Sequence, residues 1–321
     1  MLSETDVSPR RLLRVGTSFQ PAWLRNPVLA AVVVAMGAGF GLHIPSFWRV
    51  QTLLDIWQQA ALLMVVSVGA TFVIIAGELD LSVGAVVGLI SVVVPSLLTA
   101  GNPMPIAVVV ALLIGAAIGF ANAAITLRLH VPSFITTLGT MAIVSGLAVT
   151  VSLTPLTVTS SSFSAVFTNR IHGVPLAGMY ALAAVAVAAW FLPTSRFGLH
   201  VRAVGSGEMS AVLQGIRVER VKYLVFVVAG VLSAAGGVLL LGTSLTGYPD
   251  AGKGLELSAI AAVLLGGGRL GGGRGSVVGT FLGALVLTVA MYGIAGLGWL
   301  QAWQDFTLGI ILVLVVLAMR G

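Results

Sequence analysis

The residue types best suited to chemistry are two carboxylates set between long apolar runs. Glu78 and Asp80 lie between the runs 53–76 and 83–100. A carboxylate at membrane depth is unfavourable by about 2.5–3.5 kcal/mol on insertion scales. We therefore expect these two either in a turn at the membrane edge or beside a wet cavity. Asp80 and Ser82 also suit a helix start, because their side-chain oxygens can accept the free backbone N–H groups there.

A second acidic-Leu-Ser motif occurs late in the chain. The residues Leu-Glu-Leu-Ser at 255–258 repeat Leu-Asp-Leu-Ser at 79–82. Corresponding motifs in two parts of a membrane protein indicate duplicated halves around a shared pathway. Asn122 is added to these motif residues because its polar amide lies within another apolar run. The candidate pathway residues are therefore Glu78, Asp80, Ser82, Asn122, Glu256 and Ser258.

The composition is that of a polytopic membrane protein. Of the 321 residues, 58% are hydrophobic and 8% are charged, whereas a soluble chain carries about 25% charged residues. The lack of cysteine excludes disulfides and thiol-based metal sites. The four histidines stand apart from one another, so the sequence predicts no histidine metal site, no catalytic triad and no cofactor.

Apolar runs predict an all-α fold with about ten transmembrane helices. The runs cover about 27–44, 52–76, 82–100, 104–127, 132–152, 176–193, 219–243, 257–268, 276–295 and 303–319. The eighth run, at about 12 residues, is too short to cross the hydrocarbon as a straight helix. Because it follows the second acidic motif, we expect a discontinuous helix there.

The basic residues predict the orientation of these spans. With the N-terminus inside, only Arg49, Arg170 and Lys253 fall outside, and the remaining Lys and Arg residues fall inside. Cytoplasmic loops carry such an excess, so the net charge of +6 needs no nucleic-acid partner. Both termini are then cytoplasmic. The two acidic motifs fall on opposite sides of the membrane, as in an inverted repeat.

This orientation divides the chain into a cytoplasmic tail, 1–26, and a single transmembrane domain, 27–321. The inverted halves are expected at about 52–152 and 219–319, separated by a cytoplasmic loop at 194–218.

Two glycine-rich stretches match nucleotide-binding motifs in letters only. The stretch 247–253 is followed by Gly254, where a P-loop needs the Ser or Thr that binds magnesium. The stretch 266–271 has the spacing Gly-x-Gly-x-x-Gly, but no βαβ unit surrounds it. Neither stretch is predicted to bind a nucleotide.

The loop 194–218 contains a segment that suits a short helix outside the membrane. Gly207 and Gly215 bracket this segment. Its apolar residues recur at helical spacing, at Met209, Val212, Leu213 and Ile216. An apolar face outside the membrane needs a cover, which is either the lipid surface or a groove on a partner protein.

Three motifs together resemble the ribose-type permease subunits of ABC importers. The stretch 78–84 is similar to the family signature Gly-Ile-Asp-Leu-Ser-Val-Gly, and 205–216 is similar to the cytoplasmic coupling loop. The stretch 255–263 is similar to the family segment Glu-Leu-Asp-Ala-Ile-Ala-Ala-Val. The motifs occur in order, and the resemblance runs from Asn26 to the end. The chain departs from the family pattern at Glu78, Gly207, Gln214 and Ser258.

The resemblance implies the permease subunit of a bacterial inner-membrane importer for a sugar or sugar-like solute. Two permease chains, identical or paralogous, would form the pore within the lipid. Two ATP-binding cassette subunits would hydrolyse ATP at the cytoplasmic face, and a periplasmic sugar-binding protein would deliver the solute. The residues implied to couple to the ATPase are Gly205, Glu208, Met209, Leu213, Gly215 and Ile216.

An ion-coupled secondary transporter is the alternative that the residues leave open. In that case Glu78 and Asp80 would bind the driving proton or sodium ion. The two hypotheses differ at the loop 194–218, because a secondary transporter has no ATPase to engage.

Single cysteines test the predicted orientation, since the natural chain has none. We expect Ser206→Cys to react with a membrane-impermeant maleimide only from the cytoplasmic side, and Thr168→Cys only from the outside. Labelling of intact cells is compared with labelling of inside-out vesicles. Reaction of both cysteines from the same side would contradict the arrangement of ten spans.

Overall fold

The computed structural model describes residues 22–318 and is built largely from helices. Most of the predicted tail, 1–21, and residues 319–321 lie outside the described part. The helices are α1 (Ala22–His43), α2 (Val50–Ile75), α3 (Val83–Thr99), α4 (Met104–Arg128), α5 (Ser133–Val151), α6 (Ser161–Phe167), α7 (Leu176–Thr194), α8 (Arg196–Ser206), α9 (Glu208–Leu213), α10 (Val218–Ser244), α11 (Leu255–Leu265), α12 (Val277–Gly296) and α13 (Gln301–Ala318). The strands are β1 (Leu156–Thr157), β2 (Arg170–Ile171), β3 (Val174–Pro175) and β4 (Thr246–Gly247). They pair antiparallel, β1 with β4 and β2 with β3.

Each predicted span coincides with one of these helices, namely α1–α5, α7 and α10–α13. Among the described helices, seven are long and apolar enough to cross a membrane: α1, α2, α4, α5, α7, α10 and α12. The apolar helices α3, α11 and α13 are shorter. An all-α, polytopic membrane protein is therefore confirmed, whereas the count of about ten spans stays a prediction.

The helices form an inner and an outer group. The inner helices α2, α3, α10, α11 and α12 supply most of the buried apolar side chains. The outer helices α1, α4, α5, α7 and α13 keep large apolar side chains exposed, for example Val34, Leu113, Ile143, Trp190 and Leu314. Extensive exposed apolar surface of this kind fits a hydrocarbon environment.

Helices α4 and α10 pack closely because small residues face each other. A methyl group on Gly115 would meet the carbonyl oxygen of Gly230, and one on Gly119 would meet that of Phe226. Close backbone approach of this kind holds helices together in lipid, where van der Waals packing replaces the hydrophobic effect between helices.

The connection between α10 and α11, residues 245–254, runs back along α3. The Ser91 hydroxyl donates to the carbonyl oxygen of Tyr248 at 2.8 Å. A methyl group on Gly88 would meet the carbonyl oxygen of Pro249. The small residues of α3 therefore form the surface against which this connection lies.

This connection brings the two acidic motifs together. A methyl group on Gly84 would meet both the Glu256 carboxylate and the carbonyl oxygen of Gly252. The prediction that the motifs lie on opposite sides of the membrane therefore does not hold, because residues 245–254 return to the first motif before α11 begins. The inverted repeat of the two halves stays a prediction.

The contact between α4 and α10 yields a stability test. We expect Gly115→Ala and Gly119→Ala to destabilise the protein by about 1–3 kcal/mol, since the added methyl groups overpack the interface. Gly139→Ala and Gly146→Ala on α5 are matched controls, because within residues 22–318 no atom lies within 4 Å of the added carbon. These controls should hold or raise stability, as Ala favours a helix over Gly by about 1 kcal/mol. Thermal unfolding in detergent measures the difference, and equal effects in all four variants would contradict the packing argument.

Candidate functional site

A buried chain of hydrogen bonds joins three of the predicted pathway residues. The Asp80 carboxylate accepts from the backbone N–H of Ser82 at 2.9 Å and from its hydroxyl at 2.6 Å. The Ser82 hydroxyl in turn accepts from the amide of Asn122 at 2.9 Å. All three residues are buried, and Asn122 is completely so. The connection between α2 and α3, residues 76–82, is called the break below, and Asp80, Ser82 and Asn122 form the buried polar chain.

The helix cap predicted for Ser82 is wrong, whereas the Asp80 carboxylate does accept a backbone N–H at the start of α3, that of Ser82. Ser82 stands at the N-cap position of α3, but its side chain accepts no hydrogen bond from the first turn. Its hydroxyl donates to Asp80 instead. A carboxylate that accepts from the backbone two residues later closes an Asx-turn. These side chains therefore fix the shape of the break rather than satisfy the first turn of α3.

Hydroxyl groups of α5 hold the backbone of the break from the other side. The N–H of Leu79 donates to the Ser133 hydroxyl at 3.1 Å, and the N–H of Leu81 donates to the Thr137 hydroxyl at 3.0 Å. Thr137 also donates to the carbonyl of Ser133 at 2.9 Å. Neither Ser133 nor Thr137 is among the site residues predicted from the sequence, so both contacts to the break were missed. Ser133 and Thr137 stand four residues apart, which places both hydroxyls on the same face of α5. This spacing was the signal in the sequence that could have identified them.

The second acidic motif has a different local structure from the first. Helix α11 begins at Leu255, which corresponds to Leu79, whereas α3 begins only at Val83. The Glu256 carboxylate accepts from the N–H of Gly254 at 3.2 Å. The Ser258 hydroxyl donates to the Gly254 carbonyl at 3.0 Å, as a residue inside a helix does. Glu256 and Ser258 are half-buried.

A lysine at the start of α10 joins two carboxylates from different segments. The ammonium nitrogen of Lys222 lies 2.5 Å from a carboxylate oxygen of Glu78 and 2.5 Å from one of Glu208. The Lys222 side chain is 7% exposed, that of Glu78 is 11% exposed and that of Glu208 is 59% exposed. This arrangement, called the Lys222 bridge below, connects the break to α9. In the sequence Lys222 stands only among the inner charges: Glu78 lies far away along the chain, and Glu208 lies 14 residues away on a separate helix.

Backbone contacts beside the Lys222 bridge tie in two more segments. The N–H of Gly273 donates to the carbonyl oxygen of Ile75, the last residue of α2, at 2.8 Å. A methyl group on Gly205 would meet the same carbonyl oxygen. The end of α2, the end of α8 and the glycine-rich loop after α11 therefore meet at one point. The predicted coupling residue Gly205 lies at this point.

The short helix predicted between Gly207 and Gly215 is present as α9. Met209 is 73% exposed and Leu213 is 82% exposed. Gly215 follows α9 with a φ of 78°, a left-handed backbone that suits glycine.

Ile216 does not belong to the exposed apolar face of α9, which corrects that part of the prediction. It lies beyond the helix end and packs against the hydrophobic core. Ala211 supplies the buried side of α9.

Within residues 22–318, no group of three or more His, Cys, Asp or Glu side chains could hold a metal ion. The charged groups of this site are those of the break and the Lys222 bridge, together with the Glu256 carboxylate. Such an arrangement can position segments and transmit movement, since its carboxylates are engaged by Ser82, by Lys222 and by backbone N–H groups.

Comparison with known proteins gives consistent relatives over nearly the whole chain. The family described as the branched-chain amino acid transport system / permease component matches residues 52–316. Ribose import permease protein RbsC of Escherichia coli (strain K12) is 32% identical over 305 residues, which cover 93% of this chain and 95% of that protein. Its namesake from Bacillus subtilis (strain 168) is 34% identical over 279 residues, which cover 86% and 87%.

A further relative is the autoinducer 2 import system permease protein LsrC of Photorhabdus luminescens, 31% identical over 278 residues, which cover 85% of this chain and 82% of that protein. No solved structure matches. The resemblance to ribose-type ABC permeases is thereby confirmed, and the chain belongs to the family of branched-chain amino acid transport system permease components, as a multi-pass membrane permease.

Proposed function

We propose that this chain is the permease subunit of an ABC importer for a sugar or sugar-like solute, with ATP hydrolysed on a separate subunit. Relatives named as import permeases for ribose and for autoinducer 2 support this class of solute. The similarity covers most of the chain, so it does not rest on a single motif.

The observation that carries the mechanism is the Lys222 bridge. A permease driven from outside must convert a change at its ATPase face into a change along its pathway. Glu208 belongs to α9, and Glu78 belongs to the break that also holds Asp80. A displacement of α9 therefore acts, through one ammonium group, on the segment that anchors the buried polar chain.

Helix α9 is the proposed contact with the ATPase. Its exposed apolar side chains, Met209, Val212 and Leu213, stand on a helix that is anchored by Ala211 and by Glu208. A rigid helix that presents such residues fits a groove on a partner protein. Two ATP-binding cassette subunits, a second permease chain and a periplasmic sugar-binding protein complete the proposed assembly. The termini are then cytoplasmic.

The candidate pathway residues are proposed to change their surroundings during transport. Asp80, Ser82 and Asn122 are buried in this conformation, which corresponds to a closed pathway at this level. The oxygen of the Asn122 amide has no hydrogen-bond partner among residues 22–318. Movement of the break would open the pathway at the buried polar chain. The side chains of this chain, together with Glu256 and Ser258, could then contact the solute.

An ion-coupled secondary transporter is less well supported. Its driving ion would need free carboxylates, but Glu78 is paired with Lys222 and Asp80 accepts two hydrogen bonds from Ser82. RbsC and LsrC are named as import permeases, and a further relative from Escherichia coli (strain K12) is named as a probable ABC transporter permease protein.

Docking of the ATPase is tested on α9. Leu213→Ala should weaken ATPase binding by about 2 kcal/mol, or about 30-fold in Kd, because truncation of an anchor residue typically has this effect. Pull-down of the co-expressed ATPase subunit by solubilised permease measures the loss. Leu153→Ala is the matched control, since Leu153 is 83% exposed and lies outside α9. Full recovery of the ATPase with Leu213→Ala would remove α9 from the docking role.

Coupling through the Lys222 bridge is tested with Glu208→Gln. This variant removes the charge that links α9 to Lys222 but leaves the buried pair of Lys222 and Glu78 intact. We expect normal expression and normal ATPase binding, with fewer solute molecules imported per ATP hydrolysed. The exposed Glu219, on the first turn of α10, provides the control Glu219→Gln. An unchanged import-to-hydrolysis ratio in Glu208→Gln would refute the link.

A further inference from the structure

A cavity of about 540 Å³, with both polar and apolar groups in its wall, lies at the end of the molecule away from α9. The start of α2, the end of α10 and the side chains of Arg170 and Tyr292 surround it. Helix α10 carries Lys222 near one end and Thr243 near the other, which places the cavity and the Lys222 bridge about 30 Å apart along the helix. The basic-residue pattern puts this end outside the cell.

The charged groups at the rim of the cavity engage one another. The Asp55 carboxylate accepts from the Gln51 amide at 2.8 Å. The Arg170 guanidinium donates to the Gln51 amide oxygen at 3.2 Å and lies 3.9 Å from Asp55. These contacts pair the negative charge of Asp55 with the positive charge of Arg170, so the rim carries little net charge.

Neutral polar groups are free to meet a ligand inside the rim. Gln58 and Gln59 line the cavity on the same face of α2 as Asp55. Within residues 22–318 neither glutamine amide has a hydrogen-bond partner. Each amide offers two donor hydrogens and an acceptor oxygen. Leucine side chains of α2 and α10 form the apolar part of the wall.

We propose that this cavity binds one neutral polyhydroxylated solute, of monosaccharide size, before it passes the break. The inference rests on the proposed function and adds a site and a ligand class to it. Paired amides match neighbouring hydroxyl groups, and the leucine wall matches the C–H face of a sugar ring. The volume is within the range of small-molecule pockets, about 300–1,000 Å³. A free amino acid needs unpaired charges of both signs, which the pairing of Asp55 and Arg170 does not supply.

The test uses the full-length permease in lipid nanodiscs with Thr243→Cys as its sole cysteine. Thr243 lines the cavity, while its own hydroxyl donates to the carbonyl of Leu240 at 2.8 Å. The rate of alkylation by a maleimide is measured with D-ribose, with D-glucose and with L-leucine. Thr168→Cys, exposed and outside the cavity, is the control reporter.

We expect at least one sugar to slow alkylation of Thr243→Cys about tenfold at about nine times its Kd, with Thr168→Cys unaffected. L-leucine should have no effect. Adding Gln58→Met and Gln59→Met should abolish the protection while the basal alkylation rate and the unfolding temperature stay the same.

The proposal is overturned if neither sugar protects, if L-leucine protects equally, or if protection survives the loss of both amides. An unreactive Thr243→Cys would also overturn it, since the cavity would then be closed to solutes. No ATPase or binding protein is present in this assay, so its failure is distinct from a failure of ATPase docking at α9.

Discussion

The arrangement of α9 and the break depends on the ammonium group of Lys222. A lysine that is 7% exposed is stable as a charge only when it is paired, because removal of one partner from a buried pair is destabilising by about 3–5 kcal/mol. Its two partners belong to the break and to α9. The position of the exposed helix and the shape of the break are therefore not independent. Close backbone contacts at Ile75, Gly205 and Gly273 keep these segments within reach of one another.

The break also connects to the second acidic motif. On one side, α5 hydroxyls hold its backbone through Ser133 and Thr137. On the other side, Gly84 in the first turn of α3 leaves room for Glu256 and the connection 245–254. A shift of the break therefore requires a matching shift of α5 or of α11. Packed elements of this kind change position as units rather than deform gradually. This favours two discrete arrangements of the permease over a continuous range.

Features that depend on local sequence were predictable, and those that depend on long-range pairing were not. The apolar length of a helix is a local property, so each of the ten predicted spans coincides with a helix, whereas the less apolar α6 and α8 were not predicted. The glycines at 207 and 215 delimit α9 in the same way. In contrast, Lys222 lies far along the chain from Glu78, and the residues around Lys222 gave no sign of that partner. The cap predicted at Ser82 is wrong because its hydroxyl accepts from the Asn122 amide, and donates to Asp80, instead of accepting from the first turn of α3. Ile216 has helical spacing but lies beyond the helix end, where the chain turns toward the core.

The two ends of the proposed transport route share the same pair of helices. Helix α2 carries Gln58 and Gln59 near its start and leads into Glu78 after its end, while α10 carries Lys222 near its start and Thr243 near its end. These helices pack against each other, and α2 is about 39 Å long at 1.5 Å per residue. In the proposed coupling, a rotation of α10 at Lys222 would therefore move the cavity walls as well. If the ATPase docks on α9 as proposed, thermodynamic linkage makes this effect reciprocal, and a solute that favours one arrangement of the cavity changes the affinity of that docking by the same factor.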